Sequence, residues 1–114
     1  MTQTSEPAPG EPISLNDQAA FDEHVAEYDV VLVDFYADWC GPCRMMEPAV
    51  ESLASDTDAA VLKVDVDQFQ GLAAEYGVQG IPTLLVFEGG EMADQMVGAQ
   101  TEDALREAVT SRLN

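Results

Sequence analysis

The stretch DFYADWCGPCRMMEP, residues 34–48, holds both cysteines of the chain, Cys40 and Cys43, together with its single tryptophan, Trp39. Thiols at this spacing have three uses. Zinc wants four ligands, and only the distant His24 could join the two sulfurs, so a metal would require a second chain. A structural bridge stabilises through the loop it closes, and a loop with two intervening residues contributes little. Reversible thiol–disulfide exchange is the third use, and the surroundings favour it. A helix is expected from Pro42, with Cys40 at its N-terminus, where free amides and the dipole favour thiolate. Cys43, one turn in, lies at the same helix end and can reach it. One thiolate attacks a disulfide, and its neighbour resolves the intermediate.

The elements that must hold this pair follow from patterning. PISL (12–15) is a short strand, and Asn16 is placed to cap a helix over 17–28 with Phe21, Val25 and Tyr28 on one stripe. VVLVDFY (30–36) does not alternate, as expected of a strand covered on both faces. The helix after the cysteines runs from about Pro42 to Ser55 and buries Met46, Ala49, Val50 and Leu53; Pro42 is tolerated in its first turn, and Pro48 should kink it. AVLKVDV (60–66) is a second buried strand, and QFQGLAAEYG a short helix ended by Gly77. TLLVF and EMADQMV form a hairpin through Gly89 and Gly90. Thr101 caps a last helix with Leu105, Val109 and Leu113 buried and Arg112 in its final turn. The order β-α-β-α-β-α-β-β-α makes the early strands parallel and the late ones antiparallel. The fold class is therefore α/β, a mixed central sheet flanked by helices on both faces, with one domain over 12–114 behind a mobile tail, 1–11.

Charge restricts the partners. Four Lys and Arg against 22 Asp and Glu give a formal net charge of −18, a surface that repels nucleic acid and anionic membranes. A docking face for one basic partner, a disordered acidic tail, or adaptation of the whole surface to high salt would each produce acid. The acids run through the entire chain and Lys63 is its one lysine, which favours salt adaptation. No apolar run is long enough to span a bilayer. The opening MTQTSEPAPGEP has neither Lys, Arg nor an apolar core, so no secretory signal is expected; a chain that begins here is expected in the cytoplasm, where thiols stay reduced.

Two charges interrupt buried runs, Asp34 in VVLVDFY and Lys63 in AVLKVDV. Each is costly to bury unless paired, and from spacing alone each could equally face water at a strand edge. Met45 and Met46 read as helix packing, with Met45 able to line the site. His24, alone on an acidic helix, reads as solvated, and the acidic faces as solvent-facing.

WCGPC, followed and preceded in order by VVLVDFYADWCGPCRMMEPAVESLA, LKVDVD, YGVQGIPTLLVFEGGE and VGA, resembles the thioredoxin family over about residues 12–113. The resemblance implies a dithiol–disulfide oxidoreductase that reduces disulfides of client proteins, needs no bound cofactor, acts as a monomer and is recharged by a thioredoxin reductase. It makes Cys40 the nucleophile and Cys43 the resolving thiol, with Gly41 and Pro42 between them tuning the pair. Trp39, Ile81, Pro82, Val97, Gly98 and Ala99 match the family's groove for a client's extended backbone, and Pro82 its cis proline. Asp34 matches a buried acid that takes and returns the proton of the second cysteine, commonly through water, with Lys63 nearby. Burial should raise the Asp34 pKa, and the Lys63 ammonium should oppose that. Tyr36 departs from a frequent tryptophan and Arg44 from a frequent lysine, both keeping the local character. An oxidase or isomerase would favour other residues between the cysteines and an oxidising compartment. A binding module without activity would have no use for the intact pair.

Overall fold

The computed structural model describes residues 6–113. Residues 1–5 of the expected tail lie outside the described residues. From there the chain touches the fold: the Glu6 amide donates to the Glu27 carbonyl at 2.9 Å, and Ala8 packs against the core.

Five strands, β1 (Ile13–Ser14), β2 (Val30–Tyr36), β3 (Ala60–Asp65), β4 (Thr83–Glu88) and β5 (Glu91–Val97), form one sheet in the order β1-β3-β2-β4-β5. β1 and β2 both run parallel to β3, whereas β4 is antiparallel to β2 and β5 to β4. This is the mixed sheet expected from the element order. Gly89 and Gly90 take φ of 60° and 85°, so the β4–β5 turn is built on two left-handed residues that a side chain would strain.

The helices are α1 (Phe21–Glu27), α2 (Gly41–Met45), α3 (Glu47–Asp56), α4 (Gln70–Glu75) and α5 (Glu102–Thr110). α1 and α4 cover one face of the sheet with Phe21, Val25, Leu72 and Ala73; α3 and α5 cover the other with Val50, Leu53, Leu105 and Val109. Three local expectations need correction. The cap near residue 16 comes from Asp17, whose carboxylate accepts from the Ala19 amide at 3.1 Å and starts a 3-10 turn before α1. The helix after the cysteines is two helices broken at Met46, not one kinked rod. Pro48 has no amide to offer the Arg44 carbonyl; the Met46 amide folds back on Pro42, Cys43 and Arg44 instead, and Pro48 falls in the first turn of a new helix. Finally, α5 ends at Thr110, so Arg112 lies beyond its last turn and reaches Glu88 at 3.3 Å.

Candidate active site

Cys40 is the residue that caps α2. Its Sγ accepts from the Cys43 amide at 3.2 Å, and Pro42, lacking a donor, costs the first turn nothing. Since α2 is five residues long, the close amide, more than a long helix dipole, is what a Cys40 thiolate would meet. Cys40 and Cys43 form a disulfide, and both are buried, at 4% and 3% exposure. They pack with Ala37 against Tyr36, Val66 and Ile81.

Beside this pair the chain brings two distant segments together. The Ile81–Pro82 peptide is cis, Cys40 Sγ lies 3.9 Å from the Ile81 carbonyl, and Pro82 is buried directly before β4. The Pro82 carbonyl accepts from the Gly98 amide at 2.8 Å, and Gly98 has φ +90°, a conformation that suits glycine. Val97 is 64% exposed, and Ala99 is exposed too. On the opposite side Trp39, 70% exposed, donates its indole N–H to Asp67 at 2.8 Å. The cis Ile81–Pro82 peptide thus lies beside Cys40, with Gly98 hydrogen-bonded to it from the end of β5.

Beneath Cys43 the surroundings change. Asp34 lies on β2, the middle strand of the sheet, opposite Lys63 of β3 and Leu84 of β4, and is 1% exposed. The strand-edge alternative is excluded for both charges, because β2 and β3 each have a neighbour on either side. A cavity of about 340 Å³ opens here, with Asp34, Tyr36, Cys43, Glu47 and Lys63 in its walls. Desolvation pushes the Asp34 carboxyl up from 3.8 to about 6; the Lys63 charge opposes this and that of Glu47 adds to it. Lys63 places its ammonium 4.5 Å above the Tyr36 ring and 4.0 Å from Glu47.

The thioredoxin family model matches residues 12–111. The chain belongs to the thioredoxin family. Relatives include thioredoxins of Staphylococcus haemolyticus, 47% identical over 82% of this chain and 90% of the relative, and of Staphylococcus aureus, 47% identical over 83% and 92%. Among solved structures, a mutant thioredoxin of Halobacterium salinarum is 51% identical with a TM-score of 0.91, covering 96% of this chain and 97% of that one. A Malassezia sympodialis thioredoxin reaches 31% identity and a TM-score of 0.80, over 90% and 93% of the two chains. As a thioredoxin-family member the protein is a dithiol–disulfide oxidoreductase, a protein-disulfide reductase whose redox group is the Cys40–Cys43 pair.

Sequence patterning missed three contacts. Asp67 holds the Trp39 ring, Glu47 pairs with Lys63, and Met46 accepts the Gln100 amide at its Sδ, 3.3 Å away, joining the helix break to the loop after β5. Glu47 follows Cys43 by one helical turn, a spacing that could have singled it out. The other two contacts cross long stretches of chain and leave no local signal. His24, read as solvated, is partly buried beside Glu27 at 3.7 Å, and Met45 is 83% exposed instead of packed.

Proposed function

We propose that Cys40 is the attacking thiol and that Asp34 serves Cys43 as its proton acceptor and donor. A client strand lies over Trp39, Ile81, Pro82, Val97, Gly98 and Ala99. Cys40 thiolate attacks one client sulfur: a Cys40–client bond forms, the client S–S bond breaks, and the departing client sulfur takes a proton. Cys43 then yields its proton to Asp34, through water in the cavity, and attacks the Cys40 sulfur. The Cys40–client bond breaks, the Cys40–Cys43 bond closes, and two electrons have passed to the client. A thioredoxin reductase returns them, so that the single chain cycles in a reducing cytoplasm. Gly41, Pro42, Pro82 and Lys63 tune the pair by fixing its turn and its electrostatic surroundings.

One observation carries this reading: a 1% exposed carboxyl in a cavity that it shares with the second sulfur. A pKa of about 6 suits a group that must both take and return a proton near neutrality. Insulin reduction with dithiothreitol tests it. Cys40→Ser should abolish acceleration, Cys43→Ser should accumulate the mixed disulfide, and Asp34→Asn should slow turnover by about tenfold or more at neutral pH. Unchanged turnover in Asp34→Asn would remove the proton role, and equal rates in wild type and Cys40→Ser would favour a module that only binds.

The net charge of −18 further supports a protein adapted to high salt, since self-repulsion across such a surface weakens as ions screen it. Unfolding midpoints should rise from dilute buffer to molar KCl; the absence of a gain would point to a docking surface instead.

A further inference from the structure

Lys63 has two carboxyls within reach of its side chain. Asp34 stands opposite it in the β2–β3 register, and Glu47 projects from the first turn of α3 across the cavity. The ammonium sits with the second. Among the described residues its ion pair within 4.0 Å is to Glu47, and Tyr36 supports it from below with the face of its ring, 4.5 Å away. One oxygen of Asp34, Oδ1, is buried with no hydrogen-bond partner among the described residues. The remaining charged groups in the cavity wall are the exposed Asp38 and Arg44.

We propose that Glu47 is a positioning residue for the reaction: it holds the Lys63 ammonium at the outer wall of the cavity, so that the Asp34 carboxyl faces Cys43 without an ion pair of its own. The break at Met46 is what makes this arrangement available. α3 restarts at Glu47, which places that carboxylate at a helix N-terminus, where the free amides favour a negative charge. An ammonium that swung onto Asp34 would stabilise its carboxylate strongly, because a buried pair is little screened. The acid would then hold a proton less readily, and Cys43 would lose a partner matched to neutral pH. Glu47 and Tyr36 prevent this by offering the cation a second seat. The inference rests on the reading of Asp34 as the proton partner of Cys43.

The test reads Asp34 directly. In the oxidised protein the two thiols do not titrate, so the carboxyl carbon of Asp34 can be followed by NMR against pH. Glu47→Gln should lower the Asp34 midpoint, raising its acid dissociation constant by about threefold. Lys63→Met should move the midpoint up, and in that background Glu47→Gln should have a much smaller effect than in the wild type. The acid limb of the Cys43 resolving step should shift with the Asp34 midpoint, whereas Glu51→Gln, on the exposed side of α3, should move neither. An Asp34 midpoint unaltered by Glu47→Gln would overturn the proposal. So would an equal displacement with and without Lys63, which would show Glu47 acting by its own charge alone. Asp34→Asn separates the two readings: if it leaves the resolving step and its pH profile intact, the proton role of Asp34 falls. The midpoints still decide whether Glu47 places Lys63.

Discussion

On one face of the sheet Val31, Val33 and Phe35 of β2 lie beside Ala60, Leu62 and Val64 of β3, and α1 and α4 close over them. Phe21, Phe35, Tyr76 and Phe87 meet there in tilted and edge-on pairs, with centroids 5.4–6.4 Å apart. On the other face the same two strands begin alike, with Val30, Leu32 and Val61 under α3 and α5, but continue into Asp34 and Lys63. Alternation sends every second side chain to the same side, so both charges emerge together where the helix after the cysteines is broken. One face is a sealed apolar layer that fixes the strands. The other carries a polar cavity of about 340 Å³ at the end nearest the disulfide. The contrast teaches that stability and chemistry are divided between the sides of one sheet, and that a shift of one residue in register would exchange them.

The largest way to break the contrast is to open the sealed face. Phe35→Ala should cost about 3–5 kcal/mol in denaturant unfolding, while the turnover of molecules that remain folded should be kept. A loss under about 1 kcal/mol would mean that the aromatic layer can collapse around the gap.

The second inverts the sign on the other face. The Asp34 pKa of about 6 lies above its ordinary 3.8, so the fold disfavours the carboxylate. The corresponding penalty is absent below about pH 4, grows as pH rises through the folded value, and amounts to roughly 3 kcal/mol at neutral pH and above. Asp34→Asn should therefore stabilise the protein by up to about 3 kcal/mol near pH 8 and by almost nothing near pH 4, with slower turnover throughout the neutral range. A gain that did not vary with pH would show that burial of the charge is not its source.

The smallest test lies at the rim. Trp39→Phe removes the indole donor to Asp67 and should cost about 1 kcal/mol or less, as an exposed hydrogen bond does. Because the ring also borders the proposed client groove, KM for a protein disulfide should rise more than kcat falls. An equal fall in kcat would place Trp39 in the chemistry itself.

Much of the molecule was legible in advance because its signals are local. The strands at 30–36, 60–65 and 83–88 are runs of branched and aromatic residues, and the paired glycines at 89 and 90 permit one kind of turn. Thr101 accepts from the Ala104 amide at 3.1 Å, as its place before two acids implied. Errors gathered where a local signal had two outcomes. Pro48 could bend a helix or end one, and the choice fell to a break once Met46 had its own carbonyl partners. Asp17 displaced Asn16 as a cap by geometry that neighbouring types do not distinguish.

By itself the sequence determined that two thiols stand at the mouth of a helix, behind a buried strand, in an α/β fold; spacing, turn chemistry and hydrophobic period are properties of adjacent residues. Only the tertiary structure decided that β2 lies in the middle of the sheet, that Asp34 is 1% exposed and lines a cavity with Cys43, and that the Lys63 ammonium lies 4.0 Å from Glu47. The physical reason is that the cost of a charge depends on what surrounds it, and its surroundings here come from strands and helices far apart along the chain.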